Sequence, residues 1–259
     1  MLLENVVKLY NEKYIFSEDE IKGNNDFLVF SVIEDNLNKI FTNKLKSIIL
    51  KIDFNLIGKD YPNIVKKIIK IKKKCKNKKI KIGIKDEENV VLGYLKNYNS
   101  NNVNQRDLIT AINAIFYDNN YDRYNYLYDK ICEYLDNEFV VKNLCNFEND
   151  KCIAKKNTSC TMGCCHHFKN KLFGPFLPNN LVLCEYLENK KCSAKCISCK
   201  LFTCDYLNKQ GVKFKLNDIL LIKCFFNFIQ KLILKLRVFT PKEKIMKELL
   251  FFDFKSIDN

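Results

Sequence analysis

Two periods of apolar residues divide the first half of this chain into expected elements. In YPNIVKKIIKIKKKCK, Ile64, Ile68 and Ile71 recur with Val65 and Ile69 beside them. This is helical spacing, and Pro62 sits near the start, where a helix tolerates a missing N–H. The next stretch, KKIKIGIK, alternates instead. Ile80, Ile82 and Ile84 fall on one face and Lys79, Lys81 and Lys85 on the other, the period of a half-buried strand. The polar DEEN that follows predicts a turn into a second strand, VVLGYL. KSIILKIDFNLI has strand character from its isoleucines. SEDEIKGNNDFLVFSVIEDNLNKIF opens on a polar turn before an apolar run. QRDLITAINAIF and YNYLYDKICEYLDNEF read as helices whose tyrosines serve mostly as packing surface. Residues 1–144 are therefore expected to form a small mixed α+β or α/β domain.

The last quarter is patterned differently. From Asn217, NDILLIKCFFNFIQKLILKLRVF places Lys223, Asn227, Gln230, Lys231 and Lys235 on one helical stripe, with apolar residues filling most of the rest. Such a broad apolar face predicts a helix packed under another domain, and its basic stripe makes an interfacial membrane helix the rival reading. Cys224 is expected as a small buried side chain on it. TPKEKIMKELLFF predicts a short final helix, with Thr240 as N-cap, Pro241 at N1 and Glu243 at N3.

Composition narrows the partners. The 259 residues carry a formal net charge of +14, almost all of it from lysine, with Arg106, Arg123 and Arg237 the only arginines. Lysine is a poor planar fork for phosphates and base edges. The chain is also rich in Asn and Ile, so compositional bias accounts for the charge more simply than a nucleic-acid partner. The run Lys66 to Lys81 straddles a helix and a strand without interleaved aromatics, which favours a solvated face over a base-stacking patch. MLLENVVKLYNEKY lacks the pattern of a secretory signal. No stretch approaches the roughly 18 apolar residues of a membrane span. A cytoplasmic protein with reduced thiols is expected.

Thirteen cysteines then need an explanation, and their distribution supplies the main signal. Cys75, Cys132 and Cys224 stand apart, while the other ten crowd between Cys145 and Cys204. This defines a second expected domain, 145–259, a cysteine-rich module packed with C-terminal helices. Cys152, Cys160 and Cys164 are separated by seven and three residues, and Cys184, Cys192 and Cys196 repeat those gaps 32 positions later. Cys199 completes a C-x-x-C with Cys196, and Cys204 follows.

Thiolates that bind zinc must converge to about 2.3 Å from one ion, and short gaps provide chelating pairs at little entropic cost. A disulfide scaffold is disfavoured in a reducing compartment. Buried free thiols explain one or two cysteines but not the set. A dithiol redox centre at Cys196–Cys199 lacks a flanking thioredoxin-like pattern. The candidate ligands are Cys152, Cys160, Cys164, Cys165, His166, Cys184, Cys192, Cys196, Cys199 and Cys204. Zinc and iron, including an iron–sulfur cluster, both suit sulfur-rich sites. His166 and His167 add nitrogen donors, either as ligands or as hydrogen-bond partners of thiolates.

The order of these features resembles the YkgJ-like zinc- or iron-chelating cysteine-cluster family. The likeness lies in the adjacent pair of MGCCHHF, in LVLCEYLENKKC with Cys184 and Cys192, and in the closing group Cys196, Cys199 and Cys204. The resemblance implies metal binding by these residues. Phosphate-loop, dinucleotide, zinc-protease and nucleophile-elbow motifs are absent. Cys192, Cys196 and Cys199 match the C-x-x-x-C-x-x-C of iron–sulfur enzymes, although little chain follows them. The leading expectation is a cytoplasmic metal-binding protein whose cysteine cluster is structural or redox-active, with a metal ion and a protein as partners. The alternatives are a zinc-stabilised nucleic-acid-binding module and an iron–sulfur enzyme acting on a protein or small molecule.

Overall fold

The computed structural model describes residues 8–10, 13–17, 27–33, 37–42, 44, 47–54, 60–86, 89–93, 103–141, 147–148, 151–152, 166–168, 181–188, 191–193 and 195–253. The chain divides into two compact units, Met1–Tyr117 with Ser256–Asn259, and Asp118–Lys255.

In the first unit, β1 (Lys8–Tyr10), β2 (Lys13–Ser17), β3 (Phe27–Ser31), β4 (Ser47–Ile52), β5 (Lys79–Asp86) and β6 (Asn89–Gly93) form one sheet in the order β1-β2-β6-β5-β4-β3. β3, β4 and β5 run parallel, while β5–β6, β6–β2 and β2–β1 are antiparallel. Parallel neighbours require crossovers. Among the described residues these crossovers hold α1 (Asn38–Thr42) between β3 and β4, and α2 (Tyr61–Lys74) between β4 and β5. Ile48, Ile49, Leu50 and Ile52 of β4 are all buried, the continuous burial of a strand covered on both faces.

Sequence spacing carries over directly into this core. On α2 the buried residues are Ile64, Val65, Ile68 and Ile71. On β5 Ile82 and Ile84 are buried and Lys79 and Lys81 exposed. Part of the lysine run has local work. Lys72 to Lys74 occupy the last turn of α2, where cations offset the helix dipole. Lys72 Nζ donates to the Ile115 carbonyl at 2.7 Å, at the end of α3 (Val103–Ile115). Lys74 Nζ sits 4.8 Å from the Phe41 ring centroid.

The second unit is built on α4 (Asn120–Val141), which buries Tyr124, Leu127, Tyr128, Ile131, Cys132 and Leu135. Three short antiparallel pairs follow: β7 (Phe147–Glu148) with β8 (Lys151–Cys152), β9 (His166–Phe168) with β10 (Leu181–Leu183), and β11 (Leu187–Glu188) with β12 (Lys191–Cys192). Among the described residues the α-helices α5 (Ile197–Leu201), α6 (Asp205–Lys209), α7 (Leu220–Phe225), α8 (Phe228–Leu236) and α9 (Lys242–Phe251) follow, with a 3-10 turn at Leu216–Asp218 before α7. The whole chain is thus a mixed α+β protein, with a sheet in its N-terminal part and helices in its C-terminal part.

The C-terminal helices differ from expectation in four ways. The single helix expected from Asn217 is two, α7 and α8, separated at Phe226 and Asn227. Asn227 starts α8 with a reciprocal capping box: its side chain accepts from Gln230 N–H at 2.9 Å, and Gln230 Oε1 accepts from Asn227 N–H at 3.0 Å. The burial of α8 is also inverted, because Gln230 lies inside while Phe228, Leu232 and Leu236 are exposed. Third, Pro241 rather than Thr240 stands at the cap of α9. Phe239, at φ 54°, reverses the chain just before it, and the Thr240 hydroxyl donates back to the Val238 carbonyl at 3.2 Å. Cys224, expected to be buried, is half-buried on α7. No helix among the described residues is long and apolar enough to cross a membrane.

Candidate functional site

The site forms where the chain enters α5. Cys196 is its N-cap residue, and Cys196 and Cys199 are 1% and 5% exposed. The Cys196 carbonyl accepts from Lys200 N–H at 3.1 Å, which opens the helix and turns both sulfurs to the same side. The loop after α8 closes over them. Phe239 N–H donates to Cys199 Sγ at 3.2 Å, and the Cys196 thiol can donate to the Arg237 carbonyl at 3.4 Å. On the opposite flank Cys132 Sγ donates to the Lys195 carbonyl at 3.4 Å.

Lys195 and Phe239, on either side of the pair, are the two non-glycine residues with positive φ among the described residues, at 48° and 54°. Side chains rarely adopt this conformation, least of all a bulky phenylalanine. Here it aims a carbonyl and an amide at sulfur atoms. Backbone strain of this kind clusters at functional sites in proteins generally, and here it falls in the two segments that flank the cysteine pair.

Electrostatics single out Cys196. Its thiol is lowered from the ordinary range to about 6, first by a hydrogen bond from Cys199. Burial opposes the shift, and backbone N–H groups of Cys199, Thr240 and Phe239 reinforce it. The Arg237 carbonyl favours the protonated form, but these donors face the sulfur together and favour the thiolate. Tyr128 is fully buried beside the pair, where its Oη accepts from Ile197 N–H at 3.3 Å. Burial first, then the nearby Cys132, Cys196 and Cys199 thiols, raises its phenol. Other groups fix α5 itself. Ser198 Oγ donates to the Leu234 carbonyl at 2.6 Å, and the buried Lys200 ammonium pairs with Asp136 on α4.

The other expected ligands are placed unevenly. Cys184 is buried in the turn after β10. Cys204 is half-buried and caps α6. Cys152 and Cys192 end β8 and β12, and His166 begins β9. Cys160, Cys164 and Cys165 lie outside the described residues. Among the described residues no three His, Cys, Asp or Glu side chains are gathered as a metal site. What is brought together is Cys196 with Cys199, and Cys132 is tied to the same turn although its isolation in sequence gave it no role.

The hairpins expose a repeat different from the cysteine spacing. FENDKCIAK (147–155) and LENKKCSAK (187–195) share six of nine positions at an offset of 40. Their strands pair in the same register, with Phe147 opposite Cys152 and Leu187 opposite Cys192. Matching whole segments, rather than cysteine gaps, would have found this in the sequence. The copies diverge at the next residue, where Lys156 stands in the first and Cys196 in the second. The close pair therefore belongs to the second copy alone.

No protein-family model, curated protein or solved structure matches the chain. The likeness to the YkgJ-like family thus rests on the order of its cysteines alone.

Proposed function

We propose that the protein binds a soft metal ion, zinc or iron, through a thiolate centre in which Cys196 and Cys199 are the chelating pair, and that the centre has a structural or redox role in a reducing compartment. The observation that carries this reading is the Cys196 environment: a buried thiol depressed to about 6 beside a second sulfur, with amide donors aimed at the pair. Metal ligands must be thiolates, and amide hydrogen bonds to sulfur stabilise and orient them. The remaining ligands would come from Cys152, Cys160, Cys164, Cys165, His166 and Cys192, as the family resemblance implies; Cys184 and Cys204 are not gathered with the pair.

A second reading is a dithiol redox centre at the same pair. A low thiol pKa at the first cysteine of a C-x-x-C that opens a helix favours it. Near-complete burial of both sulfurs weighs against it, because thiol exchange needs an accessible sulfur.

Elemental analysis and visible spectroscopy of protein purified without oxygen separate the two. The metal reading expects stoichiometric zinc or iron that Cys196→Ser and Cys199→Ser each abolish. Folded, metal-free protein with a reversibly oxidised pair would move the assignment to redox chemistry. Metal retained by both variants would remove the pair from the site.

A further inference from the structure

We propose that the outer face of α8 docks on an anionic lipid surface. Phe228, Leu232 and Leu236 recur every fourth residue along it, so they form one ridge with Ile229 beside them. Phe228 is 75% exposed and Leu236 67%. Phe251 of α9, 77% exposed, extends the apolar surface near the start of α8, where Asn227 Nδ2 donates to the adjacent Phe252 carbonyl at 2.7 Å.

This exposure is built into the fold. A nine-residue helix with so many apolar side chains would ordinarily turn its ridge inward. Gln230 prevents it. It is 1% exposed, and its Nε2 donates to the Tyr124 phenol oxygen at 2.9 Å and to the Leu249 carbonyl at 2.8 Å. Rotating α8 to bury Leu232 and Leu236 would break both bonds and strand a buried amide. The ridge is therefore held outward at the cost of a polar group in the core.

Charge identifies what covers it. From Ile219 to Phe251 the chain carries Lys223, Lys231, Lys235, Arg237, Lys242, Lys244 and Lys247 against only Glu243 and Glu248. Arg237 is paired with Glu248 and Lys242 with Asp129, each at 2.7 Å, which leaves the excess to the remaining lysines. Lys231 and Lys235 follow the ridge along one side of α8, and Lys235 is exposed. A second copy of this chain would set the same lysines against each other, so charge opposes self-association. An apolar ridge flanked by lysines suits an anionic bilayer, whose acyl boundary takes up protruding side chains without preformed holes. The inference rests on α8 alone and does not depend on metal at the cysteine pair.

The test is flotation of the full chain with vesicles of phosphatidylcholine, with and without phosphatidylserine. Binding is expected only to the anionic vesicles, and it should weaken as salt rises. Leu232→Ser with Leu236→Ser should lower the partition coefficient by roughly tenfold or more, since each change withdraws an aliphatic side chain from the acyl boundary. Lys235→Glu should lower it about fivefold or more on anionic vesicles. These positions are exposed, and circular dichroism confirms that the variants fold. Absence of binding to anionic vesicles, or equal binding of variants and parent, would overturn the proposal. So would a dimer that forms without lipid and that the same substitutions dissolve, which would assign the face to a second copy.

Discussion

Gln230 Nε2 lies 2.9 Å from the phenol oxygen of Tyr124, and this bond from α8 to α4 joins positions 106 residues apart. The phenol in turn donates a hydrogen bond to Asp253 Oδ1 at 3.0 Å. The same glutamine caps its helix and reaches the Leu249 carbonyl. One side chain thus sets where α8 begins, which face it buries and how it meets α9. Gln230→Leu keeps the size but orphans the Asn227 N–H and removes the donor to Tyr124. It should destabilise the protein by about 2–3 kcal/mol in denaturant titrations. Tyr124→Phe should cost about 1–2 kcal/mol, and the double variant less than the sum, because both changes break one bond. Strict additivity would show that the bond contributes nothing.

Cys196 should report its environment through pH. In metal-free protein its folded pKa, about 6, lies below the unfolded thiol value near 8.5–9. The thiolate's contribution to stability is fully present above the unfolded value. It declines as pH falls below that value and is lost once pH passes through about 6. Thiolate ultraviolet absorbance of the parent minus that of Cys196→Ser should reach half its amplitude near pH 6. A half-point in the ordinary thiol range would remove the argument for a preorganised thiolate. The parent should also lose stability relative to Cys196→Ser as pH is lowered from about 9 to 5.

Much of the sheet unit can be read from the chain, because one-sided burial writes its period into α2 and β5. Ile64, Ile68, Ile71, Ile82 and Ile84 face the core that their spacing predicts. The hairpin of β1 and β2 escapes this reading, since short strands carry too few residues for a period to emerge. In α8 the apolar pattern misleads. It favours one long helix with polar residues outward, yet the N-x-x-Q signature at Asn227 and Gln230 cuts the helix and turns the glutamine inward. A local capping interaction overrides a long-range average. At the site, Cys196 and Cys199 announce themselves as C-x-x-C. Cys132 does not, because its link to Lys195 is made through a backbone carbonyl 63 residues away. The role of Phe239 is equally silent, since nothing in its side chain signals a positive φ.

The strained turn before Cys196 offers a test of what holds the pair. Lys195 adopts φ 48°, and its ammonium makes an exposed contact with Asp129 at 3.4 Å. Such exposed pairs contribute little. Glycine adopts this conformation without strain. Lys195→Gly should therefore leave stability unchanged or raise it by about 1 kcal/mol, with the gain from relieved strain reduced by the greater freedom of the unfolded chain. A loss of more than about 1 kcal/mol in thermal or chemical unfolding would show that the lysine side chain itself organises the turn.

Lys200 and Asp136 should respond asymmetrically. The lysine side chain is 3% exposed and the aspartate 26%, so the pair joins a desolvated cation to a partly hydrated anion. Asp136→Ala takes away the anion against which the ammonium is buried. It should cost about 3 kcal/mol, the low end for breaking a buried pair, because water reaches one side. Lys200→Met replaces the buried charge with an apolar chain of similar length and leaves a carboxylate that water can solvate. It should cost under about 1 kcal/mol. Because α5 carries Cys199 one residue before Lys200, the comparison also bears on the site. If the ion pair positions α5, Asp136→Ala should weaken metal retention at concentrations where the protein stays folded, and Lys200→Met should restore it in the double variant. Equal costs for the two single variants would mean that the lysine is not held by the aspartate.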